Sequence, residues 1–218
     1  MALITGGEGA LAKIISTQLI SSGFEVLSPC HSDLDVGDEL SVKNYFDENI
    51  TGDLDLLINN AGIKKDSVFL NLSEEEWDEV IRVNLRGAFL CSKLALKFLC
   101  KNRNGHIINI GSFSAISGPV GQTNYAASKA GLISLTQSLA QEGGKRNVRS
   151  NCILPGWLET QFTADVPENV KDQVLSAHAL NTLNTPESVA AFVLFIHTQM
   201  PSVSGQIFQL DSRIHRWV

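Results

Sequence analysis

The sequence predicts an α/β fold, a doubly wound parallel sheet of six strands with helices on both faces. Three observations predict it. Short apolar runs alternate with longer segments of helical period, the central runs are apolar without a break, and a glycine-rich turn joins the first run to the first helix. Strands alternating with helices build parallel βαβ units. Strands covered on both faces lose the polar–apolar alternation of a half-exposed sheet.

The strand runs are Ala2-Leu3-Ile4, Glu25-Val26-Leu27, Leu54 to Ile58, His106 to Ile110, Val148 to Leu154, and Gln206 to Leu210. Helices are expected between them at about 10–22, 39–49, 74–101, 124–144 and 186–197. The long third helix has a start signal. Ser73 followed by Glu76 fits a capping box, in which each side chain satisfies the other residue's backbone N–H. The stretch 157–184, with Trp157, Leu158, Phe162, Pro167 and His178, has the weakest periodicity. It reads as a partly helical substrate flap, the alternative being an ordinary surface loop. Long loops in compact domains are usually functional. With no linker or repeat, residues 1–218 read as one domain.

A chain of 218 residues can bury a core without disulfides or metals. Its net charge of −6 argues against sequence-independent nucleic-acid binding, which runs on phosphate neutralisation. No apolar stretch reaches the length of a membrane span, and no export signal is visible. Cys30, Cys91, Cys100 and Cys152 lack CxxC spacing, and the histidines form no metal-binding motif. Reduced thiols and a cytoplasmic, metal-free protein are expected.

The chemistry lies where strands end. Thr5-Gly6-Gly7-Glu8-Gly9-Ala10-Leu11-Ala12 stands between the first strand and first helix. Glycines there let the backbone approach a pyrophosphate, and the helix N-terminus offers N–H groups and a positive dipole end. By itself, the motif is equally an unliganded turn. Tyr125 and Lys129 lie four residues apart, on one helix face. Bringing a phenol from ~10 to near neutrality takes roughly 4 kcal/mol. A cation ~4 Å away at an effective dielectric of ~20 supplies about that much. By itself, so short a motif occurs by chance and is more often an ordinary surface pair. Asn59-Asn60-Ala61-Gly62, Ser112 and Pro155-Gly156 follow at further strand ends, where parallel sheets bind ligands.

In this order, the glycine turn, Asn-Asn-Ala-Gly, Ser112, Tyr125-x-x-x-Lys129 and Pro155-Gly resemble the short-chain dehydrogenase/reductases, over essentially the whole chain. The stretches Gly105 to Gly131 and Pro155 to Thr160 look most like 3-oxoacyl-[acyl-carrier-protein] reductases. The resemblance implies a Rossmann-type, NAD(P)(H)-dependent oxidoreductase. Tyr125 would donate a proton to a carbonyl, Lys129 would lower its pKa and bind the nicotinamide ribose, and Ser112 would orient the carbonyl oxygen. Asn84 would position a water linking Lys129 to solvent. The cofactor would contact Gly6, Glu8, Gly9, Ala10 and Leu11 at the turn, and His31 and Asp35 at its adenosine end. Asn60, Ala61 and Gly62 would follow, and then Tyr125, Lys129, Pro155, Gly156, Leu158 and Thr160.

Three features depart from the family pattern. Ala10 and Ala12 replace the last two glycines of the turn, and Ala10 requires a negative φ. Asp33-Leu34-Asp35-Val36 follows the second strand almost at once, so a helix and an edge strand are missing. The end reads Asp211-Ser212-Arg213 in place of Asp-Gly-Gly. At the adenosine end Cys30 and His31 stand where an acidic residue would select NAD, and no arginine is apparent there. A mild preference for NADP over NAD is therefore expected, strengthening as His31 is protonated. The favoured substrate is a 3-oxoacyl thioester. A sugar, polyol or other small alcohol is the alternative, and a non-catalytic binding protein on the same fold the second. An acyl carrier protein is a suggested partner, with Arg103 and Arg146 beside the active-site mouth. A homo-oligomer is expected from Leu90, Leu94, Phe98, Leu132 and Leu135 on two helices.

Overall fold

The computed structural model describes residues 1–214; the last four positions of the expected domain, 215–218, lie outside the described residues. Six parallel strands form one sheet: β1 (Ala2–Ile4), β2 (Val26–Leu27), β3 (Leu56–Asn59), β4 (Gly105–Ile110), β5 (Val148–Leu154) and β6 (Ile207–Gln209). Their order is β2-β1-β3-β4-β5-β6, and every pairing is parallel. The chain runs from β1 outward to β2 and returns to β3 on the far side of β1. That reversal creates the switch point at which such sheets open a ligand crevice.

The period-two geometry of a strand divides the core. Ala2, Ile4, Leu56, Ile58, Ile108 and Ile110 face one side, packed on Ala12, Ile15 and Leu19 of α1 (Ala10–Ser21) and on Val189, Val193 and Ile196 of α8 (Pro186–Thr198). Leu3, Leu57 and Ile107 face the other side. There they meet Val42 and Phe46 of α2 (Glu39–Asn49), Leu90 and Leu99 of α4 (Gly87–Asn102), and Leu139 of α6 (Thr123–Gly144). Since both faces are covered, unbroken apolar runs are what the central strands need.

The expected long helix at 74–101 is interrupted. Here α3 (Glu74–Ile81) passes through a turn of π-helix at Arg82–Arg86 before α4. At its start the Ser73 hydroxyl accepts from Glu76 N, and the Glu76 carboxylate accepts from Ser73 N. Two short helices complete the set, α5 (Ser114–Ser117) and α7 (Glu168–Ser176). The latter lies within the irregular 157–184 stretch. As the shortened sequence implies, only α2 lies between β2 and β3, and β2 is an edge strand of two residues.

Two expectations concern residues at the periphery. Leu90 and Leu132 are buried within the chain, and Leu94, Phe98 and Leu135 pack against the same core, so these residues cover their own sheet. Arg103 closes α4 in a left-handed conformation just before β4, and Arg146 lies just before β5. Both therefore stand at the amino edge of the sheet, opposite the carboxyl edge where such sheets bind ligands.

Candidate active site

A cleft of about 910 Å³ runs along the carboxyl ends of the strands. Its first wall is the glycine turn. Thr5 is buried at the end of β1, and its hydroxyl accepts from the backbone N–H groups of Asn60 and Ala61, both at 3.0 Å. The Asn60 side chain returns a hydrogen bond to Thr5 O at 3.0 Å. These bonds tie the ends of β1 and β3 together and bring Gly6 against Ala61. Gly6 has φ of +71°, and a Cβ there would fall 2.9 Å from Ala61 Cα. A side chain would thus be strained and would clash. Gly9 caps α1 without a side-chain hydrogen bond, so the first-turn N–H groups face the cleft uncapped. Ala10 takes ordinary helical geometry, which meets the condition its side chain imposes.

The opposite wall carries Ser112, Tyr125 and Lys129. Ser112 lies just beyond β4, and its hydroxyl accepts from Ser114 N at 3.1 Å. Tyr125 and Lys129 stand on the first turns of α6, one helical turn apart. The Lys129 ammonium donates to Ile110 O at 2.8 Å and sits 5.7 Å from the centre of the Tyr125 ring. Burial pushes this ammonium down to about 8, partly offset by the neighbouring Cys152 thiol. Burial also pushes the Tyr125 phenol up to about 12; the Ser112 hydroxyl draws it down and the Asp66 carboxylate pushes it further up. Desolvation of the phenolate therefore outweighs the help expected from Lys129, and the phenol is held protonated at neutral pH.

Asn84 does not line the cleft. It sits 1% exposed in the π turn, where its amide bonds both the N–H and the carbonyl of Ile63, at 2.8 and 3.0 Å. The same nitrogen donates to the Ser128 hydroxyl at 3.1 Å. Asn84 thus joins the loop after β3 to the helix that carries Tyr125. A Cβ on Gly62 would stand 3.4 Å from Asn84 Oδ1 and 3.5 Å from Lys129 Nζ, so the glycine leaves a small space between these two groups.

At the adenosine end the cleft is bordered by Lys13, His31, Asp35, Glu79 and Arg82. Arg82 donates to both oxygens of Asp35, at 3.0 and 3.1 Å. Burial pushes the Asp35 carboxyl up, but the Gly37 N–H, Arg82 and His31 outweigh it and hold it below the usual carboxylate range. Asp33 turns away and accepts from Cys30 N and Cys30 Sγ. The expectation that no arginine serves this end is therefore corrected. Arg82 arrives from the π turn, a segment remote in sequence from β2, so local reading around Cys30 misses it.

The structure brings all the other sequence-predicted site residues to this one cleft. Gly6, Glu8, Gly9, Ala10 and Leu11 line it at the turn, His31 and Asp35 beyond, and Asn60, Ala61 and Gly62 along its floor. Ser112, Tyr125, Lys129, Pro155, Gly156, Leu158 and Thr160 complete the reactive end. Trp157 and Phe162 of the expected flap also line it, as do Phe113, Gln122 and Arg213, which the sequence reading does not single out. For Phe113, adjacency to Ser112 is an available signal.

A doubly wound sheet with this turn at one end of the cleft and a Ser–Tyr–Lys wall at the other defines a nicotinamide-dependent oxidoreductase. Residues 16–215 match a family profile described as enoyl-(acyl carrier protein) reductase. The chain is 40% identical over 181 residues to a 3-oxoacyl-[acyl-carrier-protein] reductase of Thermotoga maritima, covering 82% of this chain and 74% of that one. It is 38% identical to the reductase of the same name from Aquifex aeolicus, covering 96% of this chain and 85% of that one. A third, from Salmonella typhimurium, is 30% identical over 237 residues, with 99% and 97% covered. The chain belongs to the short-chain dehydrogenase/reductase family.

Proposed function

We propose that this protein reduces the ketone of a 3-oxoacyl thioester to the hydroxyl, with the catalytic roles carried by Ser112, Tyr125 and Lys129. The observation that carries the proposal is that Ser112 and Tyr125 place two hydroxyls on one wall of the cleft, opposite the turn suited to a pyrophosphate. Two hydroxyls on one wall suit an oxygen acceptor. The uncapped α1 N-terminus and the close approach of Gly6 to Ala61 fit a dinucleotide held by Gly6, Glu8, Gly9, Ala10 and Leu11.

A reduced nicotinamide supplies the hydride when bound. The Ser112 hydroxyl holds the substrate oxygen, and Tyr125 gives up its phenolic proton to that oxygen. Lys129, anchored on Ile110 O, carries positive charge beneath the phenol as the proton leaves. The space by Gly62, between Asn84 and Lys129, suits a water that returns the proton. A phenol pushed up to about 12 is protonated at neutral pH, the form reduction requires. Leu158 and Thr160 close the nicotinamide end, with the 157–184 segment as substrate flap.

The substrate assignment draws on the relatives, whose names specify 3-oxoacyl carrier-protein thioesters. An acyl carrier protein is accordingly a fitting donor. Arg103 and Arg146 could reach such a carrier only from the amino edge of the sheet. Lys13, His31 and Arg82 at the adenosine end favour NADP over NAD by a small margin. Exposed Phe89 on α4 suits a homo-oligomer, which a monomeric mass by light scattering would disprove. No described helix is long and apolar enough to cross a membrane, and the four free cysteines suit the cytoplasm.

The test follows nicotinamide absorbance with NADPH and NADH against acetoacetyl and 2-enoyl thioesters, sugars and simple ketones. Turnover of the acetoacetyl thioester above the rest is expected, with somewhat tighter binding of NADPH than of NADH. Turnover confined to sugars or to the enoyl thioester would replace the proposed substrate.

A further inference from the structure

We propose that Arg213 is a specificity-determining residue that binds an oxyanion carried by the substrate. The inference rests on the carbonyl-reductase reading of the cleft and adds a requirement on what else the substrate bears. Arg213 lines the reactive end of the cleft, and its guanidinium carbon lies 3.7 Å from the centre of the Phe113 ring. Phe113 follows Ser112, so the cation is stacked beside the wall that receives the carbonyl.

The guanidinium is oriented before anything binds. Its Nε and Nη2 donate to Asp211 Oδ2 at 2.8 and 2.5 Å, and the ring holds its plane. Asp211 is itself fixed. Its other oxygen accepts from Arg213 N at 3.1 Å and from the Gln209 amide at 2.6 Å. A guanidinium has five N–H donors in a rigid fork. Asp211 takes two, and the remaining three have no protein acceptor among the described residues. They belong to a side chain only 11% exposed that borders the cleft. A half-neutralised, preoriented arginine in such a place suits a carboxylate or phosphate, which it binds through paired charge-assisted hydrogen bonds.

The Asp211–Arg213 pair is also tied to neighbouring segments of the cleft. A Cβ on Gly156 would fall 2.8 Å from Asp211 Cβ, so the Asp211–Arg213 pair packs directly on the turn after β5. The carboxyl-terminal segment meets the flap as well. Ala179 N donates to Ser212 O at 3.0 Å, and the His178 ring approaches Asp211 to 3.8 Å. The oxyanion could be a carboxylate on the substrate's own chain or a phosphate on its thioester handle.

Three substrates separate these sources: acetoacetate, acetoacetyl-coenzyme A, and the neutral acetoacetyl thioester of N-acetylcysteamine. In Arg213→Gln the kcat/KM of a charged substrate, relative to the neutral one, should fall at least about tenfold, the effect of losing a charge-assisted hydrogen bond. Arg213→Lys should restore part of the ratio. Asp211→Asn frees the guanidinium and should shift the ratio the other way, by lowering KM for the charged substrate. A change confined to acetoacetate identifies a carboxylate, and one confined to the coenzyme A thioester a phosphate. A parallel loss on all three substrates in both variants, following a drop in Tm, would overturn the proposal and leave the pair as a structural tie. Wild-type turnover of the neutral thioester separately tests the carbonyl-reductase reading.

Discussion

The two ends of the cleft are built to different standards. At the reactive end the supporting groups are locked into the core: Asn84, Ser128 and Lys129 are 1%, 0% and 3% exposed, and each has a hydrogen-bond partner. At the adenosine end the charged side chains border a two-residue edge strand, and the Arg82–Asp35 pair is 39% and 30% exposed. The contrast follows from what each end must do. Proton and hydride transfer fail with small displacements of the reacting groups. Holding an adenosine spreads its binding over many weak contacts, any one of which can be lost.

The contrast makes graded predictions. The largest effect belongs to Tyr125→Phe, which keeps the ring and deletes the acid: kcat should fall by about 10²–10⁴. Cofactor affinity, followed by nicotinamide fluorescence, should barely change. Retained turnover in this variant would break the assignment outright.

Lys129 comes next and couples the chemistry to pH. Its ammonium is lowered by burial to about 8, so it is charged below that pH and neutral above it. kcat/KM should be level below about pH 8 and decline above it. Lys129→Arg, which stays charged, should move the alkaline decline upward. Lys129→Ala should weaken cofactor binding as well as turnover. An unchanged alkaline limb in the arginine variant would assign that limb to another group.

Gly6→Ala probes the junction of the two ends. Forcing a side chain into a φ of +71° costs about 1–3 kcal/mol, before the contact with Ala61 is counted. Tm and cofactor affinity should fall together, while the residual enzyme keeps its pH profile. The smallest effect is expected at the open end. A half-exposed ion pair contributes about 0–1 kcal/mol, so Asp35→Asn should change the NADPH-to-NADH affinity ratio by only a few fold. A change as large as that at Lys129 would show the adenosine end to be as tightly built as the reactive one.

Much of this architecture is legible in the sequence because its causes are local. The strand runs announce themselves by apolar content, the Ser73–Glu76 box by spacing, and the missing unit by the short path from Leu27 to Asp35. Tyr125 and Lys129 share a face by helical period alone. What was not legible depends on distant segments meeting. Arg82 reaches Asp35 from 47 residues away, and Arg213 reaches Phe113 from the segment that follows β6. The direction of the Tyr125 shift also escaped sequence reasoning, because a four-residue spacing reveals a nearby cation but not the burial that outweighs it.

The π turn at Arg82–Arg86 carries one further consequence. Within three residues it sends Arg82 to the adenosine end and Asn84 to the floor beneath Lys129. One irregular turn thereby acts as a gauge block, setting the span between the two halves of the ligand site. Each residue of a helix turns the chain about its axis, so deleting or inserting one residue here would rotate one of the two out of place. The stretch between β2 and β3 holds a single helix, whereas this turn has to keep its register to the residue.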